Sequence, residues 1–121
     1  MARHAPPRRA GARRSAESSD AGFSAEVASQ VGEALAQLGA RLSDPAVAHS
    51  VSEIEQVTRG FSDAVDGMAH GMGGITEWLR AAGHAGPLSG HASVVADRLV
   101  HVARELTRLA EAINQAEQQA S

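Results

Sequence analysis

Six histidines and fourteen acids stand in this 121-residue chain, with no cysteine, no tyrosine and only arginine as its basic residue, and these bound the chemistry open to it. Asp63, Asp66 and His70 fall within two helical turns, Asp66 and His70 at i, i+4. His84 and His91 flank a loop, and Asp97, His101 and Glu105 form an i, i+4, i+8 ladder. A zinc centre needs three or four nitrogen, oxygen or sulfur donors converging on one point. Asp63, Asp66 and His70 instead share a helix face with His49 and Glu77, as residues of a solvated face do. His84 and His91 could meet, but no third ligand accompanies them. The expectation is no metal and no cofactor.

Covalent catalysis is equally short of parts. There is no thiol, phenol or amine nucleophile, no Gly-x-Ser-x-Gly elbow, and Ser89-Gly90-His91 reads as a loop tripeptide with a capping serine. The Gly71–Gly74 cluster has no strand before it and no lysine after it, as a phosphate-cradling loop would require. The chain is expected not to be an enzyme.

The elements that carry these residues are helical. From Asp44-Pro45, a helix-start dipeptide, the residues Val47, Val51, Ile54, Thr58, Phe61, Val65, Met68, Met72, Ile75, Leu79 and Ala82 recur at alternating steps of four and three. This spacing predicts a heptad seam on a helix over about residues 45–82. A second stripe, Val57, Gly60, Ala64, Gly67, Gly71, Gly74, Trp78 and Ala81, lies about 100° around the same helix. Interior glycines cost about 1 kcal/mol each against alanine, so residues 70–74 are the weak point. The seam stays in phase across them, which favours a continuous or kinked helix over a break.

Around this helix the remaining elements fall into place. Val27, Val31, Leu35, Leu38 and Leu42 predict a first helix over about 24–42, with Ser24 as cap and Phe23 as staple. Gly83-His84-Ala85-Gly86-Pro87 reads as a tight connection. Leu88, Ala92, Val95, Leu99, Val102, Leu106, Leu109, Ile113, Ala116 and Ala120 predict a third helix over about 88–118. The expected fold is all-α: an antiparallel three-helix arrangement with a long heptad-patterned αα-hairpin, forming one helical domain over 23–121. The first helix, about 28 Å long against about 54 Å for the second, covers only the part of the hairpin near Pro45. Gly60, Ala64, Gly67, Gly71, Gly74, Met68, Met72 and Trp78 are then left as an interaction groove. It suits a second copy of the chain, giving a homo-oligomer, or a partner helical protein. On this expectation Gly67→Leu weakens self-association while sparing helix.

Charge divides the chain differently. Residues 1–14 hold Arg3, Arg8, Arg9, Arg13 and Arg14 with no acid, whereas the remainder sets six arginines against fourteen acids, so +5 is attached to −8. Residues 1–22, rich in Arg, Ala, Pro, Ser and Gly without apolar periodicity, are expected to form a disordered basic arm. Five arginines suit salt-sensitive, sequence-independent contact with nucleic acid, although no aromatic residues interleave them for stacking. The arginines are not followed by an apolar run, as a secretory or twin-arginine signal would be. No run of eighteen apolar residues exists, so no membrane span is expected, and the expected location is cytoplasmic. The absence of lysine alongside abundant alanine and glycine matches the codon usage of a GC-rich bacterial genome.

Over about residues 45–118 the hairpin, the small size and the tryptophan near the turn are similar to the secreted helical hairpins named for a Trp-x-Gly turn. Trp78 is followed here by Leu79-Arg80 rather than by x-Gly, and a further helix precedes the hairpin. The tail motif of that family, an aromatic four residues before an acid, is absent; His101 and Glu105 have the spacing but sit inside the third helix. What the resemblance implies is a secreted or translocation-accessory role. The residues themselves point first to a non-enzymatic structural or adaptor protein that associates through its hairpin seam and glycine groove, and second to a nucleic-acid-associated accessory protein using its arm.

Overall fold

The computed structural model describes the backbone of residues 5–120 and the side chains of residues 22–120. It contains three helices, α1 (Ala5–Ser43), α2 (Val51–Ala81) and α3 (Pro87–Ala120), and no strand among the described residues. The protein is all-α. Two compact units divide at Ala48, and each is considered by itself.

The first unit is built on α1, which reaches back past Ser24 to Ala5. Ala and Arg are strong helix formers, and Pro6 and Pro7 sit in the first turn, where the missing N–H groups cost no bond. The stretch 1–22, expected as a disordered arm, is helical in its backbone from Ala5 onward, and almost all of its side chains lie outside the described residues. On the described part, Phe23, Val27 and Val31 are exposed, and Leu35, Leu38 and Leu42 are half-buried.

The start of α2 differs from expectation by six residues. Asp44 does not cap a helix: its Oδ1 accepts the Ala46 N–H at 3.0 Å and its carbonyl accepts the Val47 N–H at 3.1 Å, which closes a turn. The cap is Ser50, extended at φ −88 and ψ 159, whose hydroxyl accepts the Glu53 N–H at 3.0 Å. Two competing N-cap signals stand six residues apart, and the one with an acid three residues on prevails. The Glu53 carboxylate turns to His49 Nδ1, 3.0 Å away.

From there α2 is one uninterrupted helix of 31 residues. Gly67, Gly71, Gly73 and Gly74 all keep negative φ, so the glycine cluster is neither a break nor a left-handed hinge. The helix ends where Gly83 takes φ +88. The His84 N–H then bonds the Leu79 carbonyl at 2.7 Å and the Gly83 N–H bonds that of Arg80 at 3.1 Å, the paired closure of a Schellman stop. Gly86, at φ +98, leads into Pro87 at the first position of α3. The Ser89 hydroxyl reaches back to accept the Gly86 N–H at 3.1 Å. Both turn glycines hold a conformation that costs any other residue about 1 kcal/mol or more.

α2 and α3 pack against each other. What they bury is small. On α2 the buried residues are Thr58, Ser62, Ala69 and Thr76, and on α3 they are Ser89, Ala92, Ala103 and Ala110. Half-buried Val65, Met72 and Leu79 continue this line on α2, and Leu99, Leu106 and Ile113 continue it on α3. The covered line of α2 therefore shares Thr58, Val65, Met72 and Leu79 with the expected seam. It departs at the alternate positions, where Ser62, Ala69 and Thr76 replace Phe61, Met68 and Ile75. Small side chains let two helix backbones approach, and here they do: Ser62 Oγ lies 2.8 Å from the Ala103 carbonyl oxygen of the other helix. Large residues one position away are pushed to the flank.

Candidate interaction face

Two sides of the α2–α3 pair carry opposite chemistry. Asp63, Asp66 and Arg104 line one open depression together with Ser62, Val100, Ala103 and Thr107. Asp66 stands four residues after Ser62, and Thr107 four after Ala103, so this side collects residues that follow the covered positions. At 3.6 residues per turn, residues one place before covered positions fall on the other side. On α2 these are Phe61, Met68 and Ile75, with Ile54 seven residues before Phe61 on the same side, and on α3 they are Leu88, Val95, Val102 and Leu109.

That second side is apolar and open. Met68, Ile75, Leu88, Val102 and Leu109 are 41–55% exposed, and Ile54, Phe61 and Val95 are half-buried. Next to the α2 ridge, further around the helix, come Val57, Ala64, Gly71 and Trp78, the last 65% exposed. Beyond them Gly60, Gly67 and Gly74 continue the surface. A Cβ placed on any of Gly60, Gly67, Gly71 or Gly74 meets nothing within 4 Å. The glycine groove is thus empty helix surface beside a ridge of large side chains, with no charged residue in either.

Of the residues expected to form the groove, Gly60, Ala64, Gly67, Gly71, Gly74, Met68 and Trp78 share this surface. Met72 does not: it falls on the covered line towards α3. Ile54, Phe61, Ile75 and the α3 stripe were not expected on this face, because hydropathy alone assigns them to the interior. The signal that finds them is the seven-residue spacing of small residues, Ser62, Ala69, Thr76 on α2 and Ser89, Ala96, Ala103, Ala110 on α3. Lines of this kind claim the contact and leave their larger neighbours outside.

Arg59–Glu55 at 3.0 Å, Arg80–Glu77 at 2.9 Å and Arg108–Glu105 at 2.6 Å are ion pairs within single helices, one turn apart. Exposed pairs of this type contribute about 0.3–0.5 kcal/mol. His101 approaches Glu105 at 3.8 Å. Among the described residues no three histidines or acids converge to hold a metal.

No protein family, curated protein or solved structure matches this chain. Its chemistry has to be read from its own surface. Among the described residues no helix is long and apolar enough to cross a membrane. His49 is a separate detail: its Nε2 is buried without a hydrogen-bond partner, while Nδ1 is held by Glu53.

Proposed function

We propose that this protein is a non-enzymatic structural or adaptor protein whose α2–α3 pair, an antiparallel coiled-coil hairpin, binds a helical protein along its apolar face. The observation that carries the reading is the exposure of Met68, Ile75, Trp78, Leu88, Val102 and Leu109 on one side of a helix pair. Contiguous apolar surface of this kind on a folded chain marks an interaction site. Its line of large side chains and adjoining groove of small ones fit the packing of one helix against another. A photo-crosslinking residue in place of Met68 is expected to give covalent protein adducts in the source cell, and one in place of Asp66 none. Equal yields at both positions, or adducts to nucleic acid alone, overturn the reading.

A second reading is favoured by charge. Arg3, Arg8, Arg9, Arg13 and Arg14, with no acid among residues 1–14, suit contact with a phosphate backbone, giving an accessory protein held on nucleic acid by its arm. Binding of that kind weakens as salt displaces the arginines.

A further inference from the structure

We propose that the apolar face of α2 and α3 is the seat of a second copy of this chain, a proposal that rests on the protein-binding reading above and names its partner. Six of its side chains, Met68, Ile75, Trp78, Leu88, Val102 and Leu109, are 41–65% exposed. At typical side-chain areas these leave on the order of 500 Å² of apolar surface open. Half-buried Ile54, Phe61 and Val95 and the intervening glycines bring the face towards the roughly 800 Å² per partner that a stable interface covers. The largest apolar patch on an ordinary monomer is about 300–600 Å² and is often itself functional.

The shape of the face selects the occupant. A twofold interface uses the same patch on both subunits, so the patch must complement itself. This one does. The stripe Leu88, Val95, Val102, Leu109 lies along one border and the groove of Gly60, Gly67 and Gly74 along the other, with the Phe61, Met68, Ile75 ridge between them. A copy turned about an axis along the helices sets the α3 stripe of each chain over the α2 groove of the other, and the two ridges meet at the centre. Nothing within 4 Å of a Cβ at those glycines means that the groove is free to receive side chains.

Charge argues against a lipid surface as the occupant. An amphipathic segment that lies on a membrane flanks its apolar face with lysine and arginine. Residues 49–121 carry five arginines against nine acids, which anionic headgroups repel.

The test is the mass of the purified full chain by sedimentation velocity across a wide concentration range. The chain is expected to dimerise. Met68→Glu and Val102→Glu are each expected to weaken the dimer about tenfold or more, since a carboxylate would be buried without a partner. Together they are expected to give a monomer with unchanged far-ultraviolet circular dichroism. Asp66→Arg, on the polar side, is expected to leave the mass unchanged. Because the chain has no cysteine, Met68→Cys and Asp66→Cys give an independent readout that does not depend on tolerance of a charge. A short bis-maleimide is expected to join the first into a covalent dimer and not the second. A wild type that stays monomeric throughout overturns the second copy as occupant, while adducts to other proteins from position 68 would leave the broader reading standing. A dimer that survives both glutamates, with Met68→Cys left unjoined, overturns the face.

Discussion

Ser62 and Thr107 set their hydroxyl oxygens 2.8 Å apart across the α2–α3 interface, and both lie against the Ala103 carbonyl oxygen, at 2.8 and 3.2 Å. Two hydroxyls bring two protons to three contacts. One hydroxyl therefore donates to the carbonyl and accepts from the other, and the two assignments of these roles are interchangeable. The knot also marks the register. A shift of seven residues along α3 would face Ser62 with Val100 or Asn114 in place of Thr107, and a polar contact at one point of a helix–helix contact favours one register over its neighbours.

From this arrangement Ser62→Ala and Thr107→Val are each expected to cost about 1 kcal/mol, the ordinary net value of a hydrogen bond. Either survivor still reaches the Ala103 carbonyl, so neither change strands a buried donor. Urea denaturation of the two single variants and the double variant reads the coupling. A double variant that costs clearly more than the sum of the singles would contradict the shared-proton arrangement.

Ala110 is fully buried in a line of small residues, so a larger side chain there has no room. Ala110→Leu is expected to destabilise the helix pair by about 1–3 kcal/mol through overpacking. Met68→Leu, on the open flank, is expected to stay within about 0.5 kcal/mol of the parent. The contrast is checked by midpoints of urea unfolding at equal protein concentration, and equal effects would mean that the small residues are not in the contact.

Two glycine substitutions should have opposite signs. Gly67 is helical with open space at its Cβ, so Gly67→Ala is expected to stabilise α2 by up to about 1 kcal/mol. Gly83 holds φ +88 in the Schellman stop, and Gly83→Ala is expected to destabilise by about 1 kcal/mol or more. Thermal unfolding of dilute samples distinguishes them. A destabilised Gly67→Ala would show that a backbone or side chain already occupies the groove.

Removal of residues 1–20 addresses the arm. It takes away all five arginines of the basic stretch and leaves α2 and α3 intact. Any nucleic-acid binding is expected to vanish, and in the full chain to fall steeply between low and physiological salt with little dependence on base sequence. Fluorescence anisotropy with a labelled duplex checks this. Binding that persists after the deletion would move the contact onto the helical body.

Much of the helical frame is legible in the residues. Gly83 and Pro87 announce the end of α2 and the start of α3, because a left-handed stop and a missing N–H are tolerated at few other places. The beginning of α2 is harder to read, since Asp44-Pro45 and Ser50-x-x-Glu53 are both competent starts. Only the turn closed by Asp44 decides between them. At alternate positions the contact line is missed by one residue, for a more general reason. Hydropathy ranks Phe61, Met68 and Ile75 above Ser62, Ala69 and Thr76, yet close approach of two backbones rewards small volume over transfer energy. What is on the surface is legible only after that inversion is made.

The small-residue contact has a consequence for how much of this protein a cell can keep. Among the described residues no large side chain is fully buried, whereas each well-buried leucine or valine contributes roughly 1.5–3 kcal/mol to an ordinary core. If a second copy covers the exposed face, as proposed, that covering adds to what the interior supplies, and the melting temperature should climb with the protein's own concentration. Copies made in excess of those that cover them would spend more time unfolded and be degraded first. Its abundance would then be set by how many copies find cover, whatever the rate at which they are made.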